Sequence, residues 1–492
     1  MRKHSKKKQS SKNIIKNDPP YDIHSPFIEH RLSQTLRRVL KYAFRAATIL
    51  MVLVFSSISI AAISFGIHLT YCWLTNTTFK LGWLDVWMLI EAAFLLGMNI
   101  RYKVFKNLSS DHLPKANSKE FENICKEFGN ISDMEGFIQG WHLGNKIEDI
   151  RSEDLFEWIA GTIFNSTVED LSPEHSAMAN KLQFIMEKKL SEPLRSRGPN
   201  ETKTTKILLT LDTPTIYHRP LVYYILVHIM DRICRLILLA LGFHRSTNPN
   251  KPKSKDSLPF YIRSGPSNDP PIVFFHGLGI GLTSYLPFVA GLAVSYPERN
   301  ILLFEMPSIT MRLDDNHVLP EEYALHVAES LRSLGFYKNI IAGHSLGSLC
   351  ARWIDLYHPE LIHARMFIDP VCFSLWHHYI CHNALYREPK NFHEAIIKYI
   401  GMTEPGHATF LHRYFVWFQN TYFTTDLPQN CSIYLSEKDN IVNTPNVLDY
   451  LVENPHPTRR LVLIKAFRHG QILASPEVGR IVSEVQRLTE YK

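Results

Sequence analysis

A serine between two glycines in the second half of the 492-residue chain has the surroundings of a nucleophile. The segment Gly343-His344-Ser345-Leu346-Gly347 fits the pattern G-x-S-x-G, follows the apolar run 339–342 and precedes a helical pattern. In that context the serine sits on a strained turn that lifts its hydroxyl out of a sheet. Side chains at the flanking glycine positions would collide with neighbouring backbone. We therefore predict Ser345 as the nucleophile of an acyl-transfer reaction.

A serine hydroxyl is a weak nucleophile until a base removes its proton, and the base needs a carboxylate to orient it. His469 follows the last predicted strand, and Asp439 lies on the loop after the strand predicted at 432–435. We predict His469 as the base and Asp439 as the acid. Asp369, after the strand predicted at 366–368, is the rival acid, and Glu437 is a third candidate.

The negative oxygen that develops during acyl transfer needs two preorganised N–H donors. Leu346 follows the nucleophile at the start of the predicted helix and offers one backbone N–H. The loop after His276 is rich in glycine, and we assign the second donor to Leu278, with Gly277 as the alternative. His276 itself is predicted to hold this loop in place.

From Leu258 onward, short apolar runs alternate with helical stretches, which is typical of a mostly parallel sheet with crossover helices. The predicted strands are residues 272–275, 301–305, 339–342, 366–368, 432–435 and 461–464. Since the carboxyl ends of parallel strands share one sheet edge, this arrangement would bring the candidate residues together.

Residues 258–492 resemble the α/β-hydrolase fold superfamily, in its lipase- and esterase-like serine hydrolase branch. The resemblance rests on His276-Gly277-Leu278-Gly279, the 343–347 motif, the loop from Asp439 to Val442 and the closing Arg468-His469-Gly470, in that order. It implies helices on both faces of the sheet and a helical lid at about 371–428. That segment has thirteen aromatic residues, which suits either lid packing or an apolar acyl pocket.

Two apolar stretches near the N-terminus predict membrane spans. Residues 46–69 contain no charged side chain, and residues 81–100 contain Asp85 and Glu91. Basic residues on both flanks predict a transmembrane hairpin with both termini and the catalytic domain in the cytoplasm. A single span with a lumenal body is the alternative, and an endomembrane such as the endoplasmic reticulum is one possible location.

The charge pattern separates a basic tail from a nearly neutral body. Residues 1–45 hold twelve Lys and Arg against three acidic residues, while the whole chain has a net charge of +7. This argues against a broad nucleic-acid-binding face and favours contact with membrane lipids. The predicted organisation is the tail at 1–45, the hairpin at 46–100, a helical region with linkers at 101–257, and the hydrolase domain at 258–492.

No cofactor or metal is expected. The seven cysteines are scattered, odd in number and without a C-x-x-C pair, and a Ser-His-Asp set needs no bound group. The sequence thus predicts a membrane-anchored serine hydrolase acting on apolar acyl esters, with Ser345, Asp439 and His469 as the triad. The alternatives are a non-catalytic, membrane-tethered scaffold on the same fold, or a thioesterase or peptidase.

Overall fold

The computed structural model describes residues 21–24, 57–76, 82–247, 258–314 and 316–491. Apart from residues 21–24, the predicted basic tail lies outside the described residues. So do the first part of the first predicted span and the linker predicted around 248–257. The predicted hydrolase segment is therefore described almost throughout.

A sheet of nine strands forms the centre of the described chain. The strands are β1 (Asp22–His24), β2 (His244–Ser246), β3 (Phe260–Arg263), β4 (Ile272–Phe275), β5 (Ile301–Phe304), β6 (Asn339–His344), β7 (Ile362–Ile368), β8 (Cys431–Ser436) and β9 (Arg459–Ile464). Their spatial order is β1-β9-β8-β7-β6-β4-β5-β3-β2, and β3 is antiparallel to both of its neighbours while the other pairs are parallel. From β2 to β9 this is the strand order of the α/β-hydrolase fold, which confirms the predicted fold class.

The six predicted strands are present, each within four residues of its expected bounds. The strands β1, β2 and β3 were not predicted. The edge strands β1 and β2 have only three residues each, too few to show an apolar alternation, and β3 has four. β1 pairs in parallel with β9, and Asp22 forms an ion pair with Arg460 across this edge. A few residues of the N-terminal tail therefore join the sheet of the hydrolase domain.

Successive residues of the central strands point to opposite faces of the sheet and belong to two different apolar clusters. Both faces are therefore apolar, and helices cover each of them. In chain order the helices are α1 (Ser57–Leu74), α2 (Trp83–Lys106), α3 (Ser118–Asn130), α4 (Met134–Trp141), α5 (Ser152–Phe164), α6 (Pro173–Glu187), α7 (Leu221–Ala240), α8 (Leu286–Ser295), α9 (Pro320–Ser333), α10 (Gly347–Tyr357), α11 (Tyr379–Cys381), α12 (Phe392–Ile396), α13 (Pro405–Arg413), α14 (Trp417–Asn420), α15 (Thr444–Glu453) and α16 (Val478–Thr489). Helices α9 and α10 pack on one face, and α8 and α16 pack on the other. Helices α11–α14 lie between β7 and β8, where the helical lid was expected.

The helical region before the hydrolase domain packs directly on the lid. The indole N–H of Trp141 in α4 donates to the Trp376 carbonyl at 2.9 Å, and the indole N–H of Trp417 in α14 donates to the Thr162 carbonyl at 2.8 Å. Side chains of α3–α6 belong to the same apolar cluster as the lid and one face of the sheet. Residues of the region 101–257 thus form a roof over the lid.

Helices α1 and α2 are both long and apolar enough to cross a membrane, each with a mean hydropathy of 1.4. Helix α2 contains most of the span predicted at 81–100 and continues to Lys106. Its buried Glu91 accepts hydrogen bonds at 3.0 Å from the backbone N–H of Leu221, the first residue of α7. The partner of this carboxylate is therefore a helix N-terminus, where negative charge is stabilised. Helix α7 packs on the body through Tyr224, Cys234 and Leu238.

Candidate active site

Ser345 lies on a sharp turn between β6 and α10. Its φ of 51° is in the left-handed region, which costs a non-glycine residue free energy. A Cβ on Gly343 would lie 2.5 Å from the Gly347 carbonyl oxygen, and a Cβ on Gly347 would lie 2.1 Å from that of Phe275. Both contacts are with backbone and cannot be relieved by a side-chain rotation. The two glycines of the motif are therefore required by the close approach of β4, the turn and α10.

His469 and Asp439 meet Ser345 at the carboxyl edge of the sheet. The Ser345 hydroxyl donates to Nε2 of His469 at 2.8 Å, and Nδ1–H of His469 donates to Oδ2 of Asp439 at 2.7 Å. The other carboxylate oxygen of Asp439 accepts from the backbone N–H groups of Ile441 and Val442 at 2.8 and 2.9 Å. Asp439 follows β8 and His469 follows β9, so parallel pairing of these strands aligns the two loops.

The surroundings of His469 favour its protonated form. Burial alone lowers the pKa of the imidazole, but the charge of Asp439 and the hydrogen bond to it outweigh burial and raise the pKa above its ordinary value. The imidazole is thus prepared to accept a proton beside a hydroxyl group. This is the electrostatic arrangement that a general base requires.

Asp369, the rival acid, lies nearby but makes different contacts. Its fully buried carboxylate accepts from the backbone N–H of Ser436 at 2.7 Å, from the Ser436 hydroxyl at 3.0 Å and from the backbone N–H of Gly470 at 2.7 Å. Burial, followed by the nearby charge of Asp439, raises its pKa. Asp369 thus joins the end of β8 to the loop that carries His469. Glu437, the third candidate acid, is exposed, and its carboxylate accepts a hydrogen bond from the backbone N–H of Ala466 at 2.9 Å.

Among the described residues, none accepts a hydrogen bond from the backbone N–H of Leu278 or of Leu346. The alternative donor, Gly277, is engaged, since its N–H donates to the Tyr285 hydroxyl at 2.8 Å. His276 accepts from the Met306 N–H at 3.1 Å and contacts the Gly277 carbonyl at 2.7 Å. The loop after β4 is therefore held by His276 on one side and by Tyr285 on the other.

Two residues beneath the site were not singled out from the sequence. The Tyr285 hydroxyl accepts from Gly277 and lies 2.7 Å from Nδ1 of His344, the residue before Ser345. Both side chains are buried, so this series of hydrogen bonds joins the loop after β4 to the nucleophile turn. His344 stands within the motif, but nothing in the sequence near Tyr285 indicates its contact.

Two cavities meet at Ser345 and Leu278. A narrow apolar cavity of about 90 Å³ is lined by Val371, Leu375 and Phe415 of the lid segment and by Trp141 of α4. A wider cleft of about 1140 Å³ contains His469 and extends outward to Leu226 and Met230 of α7. The helical roof thus contributes Trp141 to the wall of the narrow cavity. Both spaces reach the serine, since Ser345 lines each of them.

The oxygen and nitrogen atoms of Asp369, Asp439 and His469 lie within 4.8 Å of one another, a spacing that a metal ion can use. These atoms are already engaged in hydrogen bonds to Ser345, Ser436, Gly470 and the backbone after Asp439. A cation bound here would have to displace those contacts. The donor set fits proton transfer better than metal binding.

The strand order and the serine turn after β6 define this chain as a protein of the α/β-hydrolase fold. Its sequence matches no protein-family model and no curated protein. Similar solved structures include a membrane phospholipase A described as a bacterial virulence factor, with 14% identity and a TM-score of 0.40 over 54% of this chain and 92% of that one. A carboxylesterase from Bacillus subtilis has 14% identity and a TM-score of 0.38 over 53% and 97%. A thermophilic esterase from Thermogutta terrifontis has 15% identity and a TM-score of 0.37 over 51% and 100%. With TM-scores below 0.5 these similarities carry no argument about the reaction, and the fold assignment rests on the strand order.

Proposed function

We propose that the protein is a membrane-anchored serine hydrolase that cleaves carboxylic esters of apolar acyl chains, such as those of lipids. One observation carries the proposal: the hydrogen-bonded series from the Ser345 hydroxyl through His469 to Asp439. The backbone N–H groups of Leu278 and Leu346 beside it supply the second requirement of acyl transfer, a site for negative charge on oxygen.

In the first half of the reaction, the Ser345 oxygen attacks the ester carbonyl while Nε2 of His469 takes the hydroxyl proton. The carbonyl oxygen becomes negative and accepts from the N–H groups of Leu278 and Leu346. Asp439 holds the imidazole in the required tautomer and stabilises its positive charge. The tetrahedral intermediate then expels the alcohol, which takes its proton from His469, and an acyl group remains on Ser345.

In the second half, a water molecule in the open cleft gives its proton to His469 and attacks the acyl group. A second tetrahedral intermediate forms against the same two N–H groups. Its collapse releases the carboxylic acid, and the proton returns from His469 to the Ser345 oxygen. No bound cofactor enters either half.

The chemistry of the cavities supports an apolar acyl group. The narrow cavity is lined mainly by aliphatic and aromatic side chains, and such walls bind hydrocarbon in preference to charged groups. The wide cleft carries polar residues and leads out of the protein, so it suits the alcohol portion of the ester. Helices α1 and α2, both long enough to cross a membrane, support anchoring close to lipid.

The proposal is tested with a fluorophosphonate probe, which reacts with an activated serine. The full-length protein is expected to be labelled, and Ser345→Ala is expected to abolish labelling. Ser264→Ala, at an exposed serine of the same domain, is the matched control and should label like the wild type. Folded wild-type protein that takes up no probe would favour the non-catalytic scaffold instead.

The substrate class is tested by hydrolysis of acyl esters of graded chain length. We expect the rate to rise with chain length as more of the acyl chain enters the apolar cavity. Equal rates for acetyl and long-chain esters would contradict the lipid assignment. Faster cleavage of thioesters or peptides than of the matching oxygen esters would replace the ester assignment.

A further inference from the structure

One face of helix α2 is apolar and uncovered. Leu96, Ile100 and Val104 are spaced four residues apart, so they lie on one side of the helix, and all three are exposed. The opposite side packs on the body, where Met98, Tyr102 and Phe105 join a cluster with Ile216 and Ala408. The second half of α2 therefore has one side packed on the protein body and the opposite side exposed.

The length of α2 limits how it can lie in a bilayer. From Glu91, which contacts the start of α7, to Lys106, the helix runs along the body. Only residues 83–90 extend beyond it, and eight helical residues rise about 12 Å. A hydrocarbon core is about 30 Å thick, so these residues alone cannot cross it. If α2 is inserted, the adjoining surface of the body must also lie at hydrocarbon depth.

That adjoining surface is helix α7, whose outer side is largely apolar but also carries the exposed Arg232, a residue type whose long side chain can extend to the headgroup layer. Ile229, Ile233 and Leu236 follow the spacing of one helical face, and all three are exposed. The two helices are in contact, since the ring of Phe94 in α2 lies 5.7 Å from that of Tyr224 in α7. We call the exposed apolar side chains of these two neighbouring helices the membrane face, defined by Leu96, Ile100, Val104, Ile229, Ile233 and Leu236.

The membrane face borders the entrance of the wide cleft. Leu226 and Met230, on the same helix as Ile229 and Ile233, line the cleft that contains Ser345 and His469. Leu226 is also exposed on its outer side, so it lies at the boundary between the cleft and the surroundings. A hydrocarbon chain passing this boundary would move from the apolar outer side of α7 onto the apolar side chains of Leu226 and Met230 at this end of the cleft.

We propose that the membrane face lies in the acyl-chain layer of a phospholipid bilayer, and that ester substrates enter the wide cleft directly from this layer past Leu226 and Met230. The choice of lipid over a second protein follows from continuity with α1 and α2, which are long enough to insert. A protein on the same surface would cover the cleft entrance. The substrate-entry part rests on the proposed hydrolase activity, whereas the location of the membrane face does not.

The location is tested by photo-crosslinking, which needs no activity. A benzophenone amino acid is introduced at position 236 or at position 184 of the full-length protein in phosphatidylcholine vesicles. Leu236 and Phe184 are both 67% exposed, and Phe184 lies in α6, away from the membrane face. We expect lipid adducts from position 236 and none from position 184. Crosslinks from position 236 to a second copy of the chain, or no preference between the positions, would overturn the proposal.

The entry route is tested by comparing two substrates in Leu236→Asp and in the control Val294→Asp, which places the same charge at an exposed position in α8. The ratio of hydrolysis of a long-chain ester in vesicles to that of a water-soluble short-chain ester is expected to fall about tenfold in Leu236→Asp only. An unchanged ratio would overturn the entry route. Should Leu236→Asp fail to fold, Leu236→Gln provides the same comparison. If wild type cleaves neither ester, the proposed function fails, while the crosslinking result still decides the membrane face.

Discussion

Nε2 of His469 lies 2.8 Å from the Ser345 hydroxyl oxygen, although 124 residues separate them in the chain. The distance results from the sheet, in which β6 and β9 are parallel and both end at the same edge. The side chains come from loops that follow these strands. Contacts between loops at this edge therefore determine whether the site can transfer a proton.

Substitution of the two carboxylates tests which of them is the acid. We expect Asp439→Asn to lower kcat by about 10³–10⁴-fold, because the amide cannot hold His469 in the productive tautomer. Asp369→Asn should cost much less, since Asp369 contacts Ser436 and Gly470 rather than the imidazole. Steady-state kinetics on a soluble ester measures both effects. A larger loss at Asp369 would show that the acid is misassigned.

The pH dependence of activity tests the role of the imidazole. His469 must be neutral to accept a proton, and its pKa is raised chiefly by Asp439 against the effect of burial. Activity should therefore fall as the pH decreases through a value above the ordinary histidine pKa of 6.5. The profile of kcat/KM against pH measures this midpoint.

The same pH profile, measured in variants, tests whether Asp439 causes the raised pKa of His469. In Asp439→Asn, burial would still lower the pKa of His469 and only the charge of Asp369 would remain to raise it, so the acid limb of the profile should move to lower pH. Glu437→Gln is the matched control, since Glu437 is exposed on the same loop and does not contact the imidazole. An acid limb that stays in place in Asp439→Asn is incompatible with the proposed pair.

The narrow cavity predicts reciprocal effects on chain-length preference. Ala384 and Phe415 both line it, so Ala384→Phe should shorten the preferred acyl chain and Phe415→Ala should lengthen it. Each methylene group excluded from an apolar site costs about 0.8 kcal/mol, or about fourfold in rate. The ratio of kcat/KM for long and short acyl esters is the measurement. Shifts in the same direction in both variants would place the acyl chain elsewhere.

The pairing of β1 with β9 predicts the sidedness of the chain. Residues 22–24 lie beside β9, and the Asp22 carboxylate is 2.8 Å from the Arg460 guanidinium. Residues 22–24 and the hydrolase domain must then be on one side of the membrane, which requires an even number of crossings between them. Tags at the two termini should be equally accessible to protease in sealed microsomes, with detergent-opened microsomes as the control. Protection of only one terminus would favour a single span with a lumenal body.

Much of the fold could be predicted from local sequence patterns. A buried parallel strand is a short apolar run, and the six such runs in the second half of the chain became β4–β9. The role of the glycines at 343 and 347 could also be predicted from the local motif, because close backbone contact at those positions excludes a Cβ. The predicted span at 81–100 lies almost wholly within α2, and the helix continues beyond it through Arg101 and Lys103 to Lys106.

The choice between the two aspartates depended on tertiary structure. Asp369 and Asp439 both follow strands that end at the same edge, so their positions in the chain are equivalent. Only the paths of the loops turn Oδ2 of Asp439 to His469 and direct Asp369 to Ser436 and Gly470. The packing of the helical roof on the lid and the pairing of β1 with β9 also depended on tertiary structure, because each joins segments that are distant in sequence. Periodicity along a chain records which residues are buried, but which buried surfaces meet is decided by packing between distant segments.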